Sequence, residues 1–479
     1  MSSCTELRKK LFIRGEWIAT KEYTKLTSPY TNEVIAEIPF ATEEEVDYAI
    51  DSAFQARTIM AQMPAHQRAL ILERLVQLFE ERAEEAASII ALEAAKPITT
   101  AKGEVARTIQ TYKFAAEEAK RIHGETLPLD AAPGGERRVA YTTREPIGVV
   151  GAITPFNFPM NLVAHKIGPA IASGNPVVLK PASQTPLSSL FLAELLHEAG
   201  LPDGALNVVT GSGRIVGDKL VTDPRVSMIT FTGSPEVGIG IRNKAGLKRV
   251  TLELGSNAAL IIDKDVNIDK VIPRCVIGAF SNQGQVCISL QRVYVHEDIY
   301  KDFYEKFVLA TEKLKVGDPL DPETDISALI SPNDIQRTLQ WIEEAKNGGA
   351  KVAAGGKAEG NILYPTIILN ANPHLKVSCQ EVFAPIVVVN KVQSIEEAIE
   401  LVNFSRFGLQ AGIYTNNVHT AFDAAEQLHV GGVLINDIPT FRVDHMPYGG
   451  VKESGFGREG IKYAIEEMTE LKLVIINRN

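Results

Sequence analysis

The sequence predicts an α/β protein built on parallel sheets, and three observations carry that expectation. Apolar runs at residues 147–153, 175–180, 206–210, 228–234 and 249–255 alternate with helix-length stretches, the pattern of strands buried on both faces and joined by crossover helices. Turn residues separate the runs from the helices, as in Thr154-Pro155-Phe156-Asn157-Phe158-Pro159, Gly200 and Gly233-Ser234. The chain has 479 residues, more than one hydrophobic core usually organises, so two or three domains are expected.

In chain order, residues 10–39 hold short strand-like pieces, 11–14 and 33–38, interrupted by Gly15 and by Ser28-Pro29-Tyr30. Apolar spacing then becomes helical over 42–57 and from 65 to about 95, with Thr42 and Glu45 forming a capping box at the first start. A third helix is expected over 98–121, closed at His123-Gly124, and its charges, Arg107 among them, read most simply as solvated faces. Residues 125–145 contain Pro128, Pro133, Gly134 and Gly135, followed by an alternating ribbon from Arg137 to Arg144. Unpaired strand edges invite pairing, so this ribbon and the apolar tail Leu471-Lys472-Leu473-Val474-Ile475-Ile476 read as an oligomerisation arm joining subunits, in a homodimer or homotetramer. Within the α/β series, helices are expected over 162–172, over 186–199 and from Arg214. A second alternating region follows, with a strand at 258–262, helices over 271–280 and 300–314, strands at 292–296 and 431–436, and a loop-like stretch from 440.

Composition narrows the functional classes. A hydrophobic share of 45% with 23% charged residues is that of an ordinary globular protein, and a net charge of -10 argues against nonspecific nucleic-acid or anionic-membrane binding. Cys4, Cys275, Cys287 and Cys379 form no C-x-x-C pair and have no metal-ligand spacing, so no metal is expected and the thiols read as free in a reducing compartment. With no apolar h-region at the N-terminus and no run long enough to span a bilayer, a cytoplasmic location is the expectation.

The chemistry-bearing motifs fall at strand ends, where parallel sheets bind ligands. Gly211, Gly213 and Gly217 form G-x-G-x-x-x-G, one residue longer than the dinucleotide fingerprint, and a bare glycine turn reads equally well. Gly233-Ser234 opens a helix where backbone amides meet phosphates, and Lys180 ends a strand where an ammonium reaches a ribose or phosphate, or else faces solvent. Cys287, in Ser281-Asn282-Gln283-Gly284-Gln285-Val286-Cys287-Ile288-Ser289, is a candidate nucleophile, although a lone cysteine is more often a small buried hydrophobe.

Taken together, Thr154-Pro155-Phe156-Asn157-Phe158-Pro159, Lys180-Pro181-Ala182, Phe231-Thr232-Gly233-Ser234, Leu252-Glu253-Leu254-Gly255, Gln283-Gly284-Gln285-Val286-Cys287, Glu381-Val382-Phe383-Ala384-Pro385 and Pro447-Tyr448-Gly449-Gly450 resemble the aldehyde dehydrogenase superfamily, in its order and over essentially the whole chain. The resemblance implies a Rossmann-like cofactor domain (residues 1–124 and 146–255), an α/β catalytic domain (256–435), an oligomerisation arm (125–145 and 461–479) and an active-site loop region (436–460). It implies Cys287 as nucleophile, Asn157 with the Cys287 N–H as oxyanion donors, and Glu253 as the base that activates water on the thioester. It further implies that NADP or NAD lies against Ile153, Thr154, Pro155, Phe156, Lys180, Ser183, Gly213, Gly217, Gly233, Ser234, Val237, Leu254, Glu381 and Phe383.

Two departures from the family pattern matter. Gly255 is followed by Ser256 and Asn257 where a second glycine is common, which leaves Glu253 in place. Ser183 stands where NAD-preferring members often carry a glutamate that repels a 2′-phosphate, so NADP use is expected, with NAD also accepted. The stretch from Asn436 through Arg442, Asp444, His445 and Met446 to Gly450 resembles the lactaldehyde, sulfolactaldehyde and phosphonoacetaldehyde branch. A small hydroxylated or anionic aldehyde is therefore expected, met by Arg442 on a loop near the aldehyde entrance or by Arg107, although each arginine reads equally well as half of a structural ion pair. Succinic semialdehyde, a coenzyme A-acylating reaction and a cofactor-independent cysteine esterase remain as alternatives.

Overall fold

In the computed structural model, which describes residues 7–478, the five apolar runs become adjacent parallel strands in the order Leu206–Val208, Val177–Lys180, Val149–Ile153, Val226–Thr232, Arg249–Glu253. Chain order reverses between Val149–Ile153 and Val226–Thr232, and a crevice opens outside the carboxyl ends of strands at such a reversal. The residues that follow Ile153 and Thr232 therefore face it. Leu11–Ile13 pairs antiparallel on one edge through Phe12 and Val208. Gly455–Phe456 pairs antiparallel on the other, beside Leu252 and Glu253.

Helix Asn161–Ala172 is buried on every side, which its nearly continuous apolar composition allows. It packs against Ile98–Ala119 and the sheet. The capping box opens helix Glu43–Gln62: Glu44 N–H donates to Thr42 Oγ1 at 3.3 Å and Thr42 N–H to Glu45 Oε2 at 2.8 Å. The expected helix from residue 65 to about 95 is two helices, Ala65–Glu81 and Ala83–Ala94, broken at Arg82. The helix expected from Arg214 is one wide π-turn, Gly213–Gly217, running into Asp218–Thr222.

The second sheet runs Lys351–Ala354, Thr366–Leu369, Ile386–Val392, Arg292–His296, Ala259–Ile262, Gln410–Tyr414, Gly432–Ile435, parallel except for its first strand. The arm corrects one expectation. The ribbon and the tail were each expected to seek a partner in another subunit, but Thr469–Asn477 pairs with Arg138–Pro146 within the chain, from Thr469 opposite Pro146 to Asn477 opposite Arg138. What stays open is the outer edge of Thr469–Asn477, with Leu471, Leu473 and Ile475 exposed. Residues 461–468, expected in the arm, instead bury Ile461, Ile465 and Met468 in the first-sheet core, because their apolar residues share one helical face.

Cys275, Cys287 and Cys379 are free thiols, and Cys4 lies outside the described residues. Among the described residues no helix is long and apolar enough to cross a membrane.

Cys287 is delivered by a strained turn. Helix Ile268–Phe280 gives way to Ser281–Gly284, where Asn282, Gln283 and Gly284 adopt φ of 51°, 55° and 67° in succession. A Cβ on Gly284 would overlap the Ala384 carbonyl, so this position needs glycine for space as well as for its left-handed backbone. Gly284→Ala is expected to destabilise the protein by more than about 1 kcal/mol; an unchanged midpoint of thermal unfolding would contradict this account.

Candidate active site

A cavity of about 990 Å³ runs along the carboxyl ends of the first sheet and reaches Cys287. Ile153, Thr154, Pro155, Phe156, Lys180, Gly213, Gly217, Gly233, Ser234, Val237, Leu254, Glu381 and Phe383 line it, together with Asn157. Ser183 does not: it is exposed on the turn, and Gln184 lines the cleft instead. Arg214, Lys244, Arg337, Trp341 and Arg406 also line it; no motif pointed to them, because each is an isolated residue that only the fold brings to the cleft.

The cleft fits a dinucleotide. A Cβ on Gly213, Gly217 or Gly240 would meet no atom within 4 Å, so internal packing does not demand glycine there; what these positions offer is backbone that a ligand can approach closely. Ser234 caps helix Pro235–Lys244, accepting from Val237 N–H at 3.4 Å, and presents that helix N-terminus to the cleft. Lys180 is buried with no carboxylate partner among the described residues; burial lowers its pKa, and its ammonium donates to the Pro181 carbonyl at 3.3 Å. Glu381 accepts from Ser256 N–H at 2.9 Å, and burial pushes its carboxyl up to about 7. A Cβ on Gly255 would stand 2.6 Å from that carboxylate, which explains the glycine retained before the unusual Ser256. Phe383 sits at φ 51° with its ring edge-on to Phe156, centroids 5.7 Å apart.

At the inner end, Cys287 is half-buried among Phe158, Val286, Ile288, Leu409, Met446 and Tyr448. Burial pushes its thiol up to about 11, against the lowering effect of a hydrogen bond with the Tyr448 hydroxyl at 2.9 Å and of the Arg442 charge. Among the described residues no histidine is its partner. His165 Nε2 lies 2.9 Å from Asp444, and His296 caps helix Glu297–Thr311, so the Cys–His pair that an esterase would need is not formed.

Asn157 is clamped from behind. Its backbone carbonyl accepts from Lys96 Nζ at 2.7 Å and from Asn282 Nδ2 at 3.2 Å, and its own Nδ2 donates to the Gln285 carbonyl at 2.9 Å. Lys96 pairs with Glu104, both wholly buried, and Glu104 also accepts from the Met160 and Asn161 amides at 2.9 and 3.2 Å. Lys96 lies 3.8 Å from the Phe158 ring centroid. The charges of this helical region are therefore not all solvated faces, because helix Ile98–Ala119 turns Glu104 inward.

Glu253, the last residue of its strand, is buried, with Oε2 unpartnered. Burial raises its pKa well above the carboxylate range, and the nearby Glu459 carboxylate adds to the rise. Glu459 is also buried yet held down at about 2, because Lys166 and Arg442 both sit on it at 3.0 Å. Two neighbouring carboxylates are thus split into one that prefers its proton and one that stays charged.

The arginines change places relative to expectation. The Arg442 side chain is not at an entrance: it is 5% exposed, pairs through Nη2 with Glu459, lies 3.0 Å from His165 and stacks 3.7 Å from the Tyr448 ring centroid, with its buried Nε unpartnered. Arg107 is the more open of the two, 32% exposed, bidentate to Asp444 at 3.2 and 2.6 Å and facing Phe158. Tyr448, Lys166, Glu459, Lys96 and Glu104 were assigned no role from the sequence; only Tyr448 lay within a quoted motif. Lys96→Met is expected to leave Glu104 as an unpaired buried charge and to cost about 3–5 kcal/mol; denaturant unfolding measures it, and a loss below about 1 kcal/mol would mean the pair carries no such weight.

Residues 17–474 match the aldehyde dehydrogenase family. The chain is 48% identical to a 3-sulfolactaldehyde dehydrogenase of Priestia aryabhattai over 478 residues, the full length of both. Among solved structures it resembles aldehyde dehydrogenase 21 from Physcomitrella patens in complex with the reaction product succinate (41% identity, TM-score 0.96, 99% of each chain). It also resembles glyceraldehyde-3-phosphate dehydrogenase from Methanocaldococcus jannaschii complexed with NADP (41% identity, TM-score 0.92, 96% of this chain and 100% of the other).

Proposed function

The chain belongs to the aldehyde dehydrogenase family, and from that premise we propose that it oxidises a small hydroxylated or anionic aldehyde, lactaldehyde-like in form, to the carboxylic acid with NADP, or with NAD. The observation that carries this reading is the convergence of Cys287 and Asn157 at the inner end of the dinucleotide-sized cleft, which is also lined by Leu254, the residue after buried Glu253. Cys287 adds through sulfur to the carbonyl carbon while the carbonyl oxygen takes the π electrons. One Asn157 Nδ2 hydrogen is committed to Gln285; the other, with the Cys287 N–H, donates to the oxyanion. The nicotinamide, when bound, supplies the hydride acceptor. Glu253, once ionised, takes a proton from the water that attacks the thioester, so turnover rises with pH along an acidic limb set by its raised pKa. A coenzyme A-acylating reaction has no use for such a base.

Lys180 has no carboxylate partner among the described residues, and Ser183 brings no carboxylate to its turn; both features favour the additional negative charge of NADP. Glu381, which lines the cleft, accepts from a ribose hydroxyl in this reading. On the substrate side, the partly exposed Arg107 guanidinium meets the anionic or hydroxyl end of the aldehyde, with Arg442 contributing from beneath Tyr448. The Priestia relative is named for 3-sulfolactaldehyde, an aldehyde both hydroxylated and anionic, which fits this pairing. Succinic semialdehyde is the second reading, favoured by the plant structure that holds succinate. Copies associate through the apolar face of Leu471, Leu473 and Ile475, as a homodimer or homotetramer.

Absorbance at 340 nm with NADP and NAD against lactaldehyde, sulfolactaldehyde and succinic semialdehyde tests the reading: NADP should give the higher kcat/KM, and absence of turnover with NADP would sink it. Glu253→Gln is expected to release about one reduced cofactor per site in a burst and then stall at the thioester; sustained turnover would exclude Glu253 as the base. Arg107→Ala should raise KM for an anionic aldehyde about tenfold or more and leave a neutral one nearly unchanged. Equal effects on both would remove Arg107 from substrate recognition.

A further inference from the structure

The cleft raises a problem that the proposed reaction leaves open: a nucleophilic thiol whose surroundings oppose ionisation, with no histidine to take its proton. Burial comes first in holding the Cys287 thiol up, and the Glu381 and Glu253 carboxylates push the same way. Against them stand Tyr448 and Arg442, both on the loop after strand Gly432–Ile435. While sulfur keeps its proton, either atom of the 2.9 Å Cys287–Tyr448 contact can donate; once sulfur is charged, only the phenol can. Tyr448 keeps its own proton, since burial, the neighbouring thiol and Glu253 raise its pKa well above the usual phenol value despite Arg442. Arg442 lies 3.7 Å from the Tyr448 ring centroid, fixed there by Glu459 at 3.0 Å, and positive charge on a ring face sharpens the O–H as a donor.

We propose that Tyr448 is a further catalytic residue whose hydroxyl donates a hydrogen bond to the Cys287 thiolate, with Arg442 stacked on its ring to strengthen and orient that donor. This rests on reading Cys287 as the nucleophile. The thiol proton leaves to water in the cleft, the phenol proton stays on oxygen, and the sulfur lone pair then forms the S–C bond. Lowering a thiol pKa that lies above ambient pH by one unit raises its thiolate fraction about tenfold and costs only about threefold in intrinsic nucleophilicity. A donor to sulfur therefore yields a net gain in a site where burial opposes the charge.

The test is the pH dependence of Cys287 alkylation by iodoacetamide in the full-length protein, followed by intact mass, with Cys287→Ser marking the background from the other thiols. In Tyr448→Phe the alkylation midpoint should rise by about one pH unit or more, with the rate above the midpoint increased about threefold. A purely structural role would change the rate at every pH and leave the midpoint in place, and an unmoved midpoint overturns the proposal. Should Tyr448→Phe fold poorly, site-specific 3-fluorotyrosine at position 448, a stronger donor of nearly the same shape, should lower the midpoint; no movement again overturns it. Alkylation requires neither aldehyde nor cofactor. A shifted midpoint in a protein that oxidises no aldehyde upholds the Tyr448 bond and rejects the proposed activity, whereas an unshifted midpoint with full oxidation rejects Tyr448 alone.

Discussion

The ammonium of Lys96, buried with Glu104, is the constraint on which the site depends. A charge taken out of water is expensive unless it is paired and fully hydrogen-bonded, and Lys96 meets that requirement only if two separate pieces of chain are in register with it. Helix Ile98–Ala119 must present Glu104, and the loop after Val149–Ile153 must present the Asn157 carbonyl and lay the Phe158 ring alongside. Because Asn282 and Gln285 attach to the same Asn157, the turn before Cys287 is tied to the same point. One buried cation thus aligns a residue from the first sheet with a turn from the second, which is the alignment that an adduct on sulfur requires.

A second set of buried charges sets proton affinity rather than position. Glu253 and Glu459 are both inside the protein, yet Lys166 and Arg442, whose charges act on both, form their ion pairs with Glu459. Lys166 comes from the fully buried helix and also donates to Thr230, while Arg442 comes from the late loop. Glu253 is left with an unpartnered oxygen and a neighbouring negative charge, so its carboxyl gives up a proton only well above the ordinary range. A base of that kind holds a proton more tightly than a surface glutamate would and is correspondingly better at removing one from water.

The parallel sheets were legible because apolar runs of that length can only be buried on both faces, whereas Cys287, Glu253, Asn157 and most of the cleft lining were named through the motifs that carry the family resemblance. What was not legible is instructive. Lys96 and Glu104 sit in a region rich in lysine, arginine and glutamate, where spacing alone does not separate an inward charge from a solvated one. Ser183 and Gln184 differ by one residue in a turn, and only the backbone decides which side chain faces the cleft. Arg442 was placed near the substrate by resemblance, but its carboxylate, Glu459, and its aromatic, Tyr448, are brought to it by a loop whose path no periodicity encodes. The arm was read as two lonely strands because pairing between residues 138–146 and 469–477 leaves no local trace in either segment.

The short strand Gly455–Phe456 pairs with Leu252 and Glu253, and the Leu254 amide donates to the Ser454 carbonyl at 3.0 Å. The strand that carries Glu253 is thus finished by a segment that follows the whole second sheet in sequence. The parallel strands of the first sheet come from one continuous stretch of chain and can associate early, but the edge beside Glu253 stays open to solvent until that later segment folds back onto it. Enclosure of the carboxylate therefore depends on a long-range pairing that the crevice itself does not need.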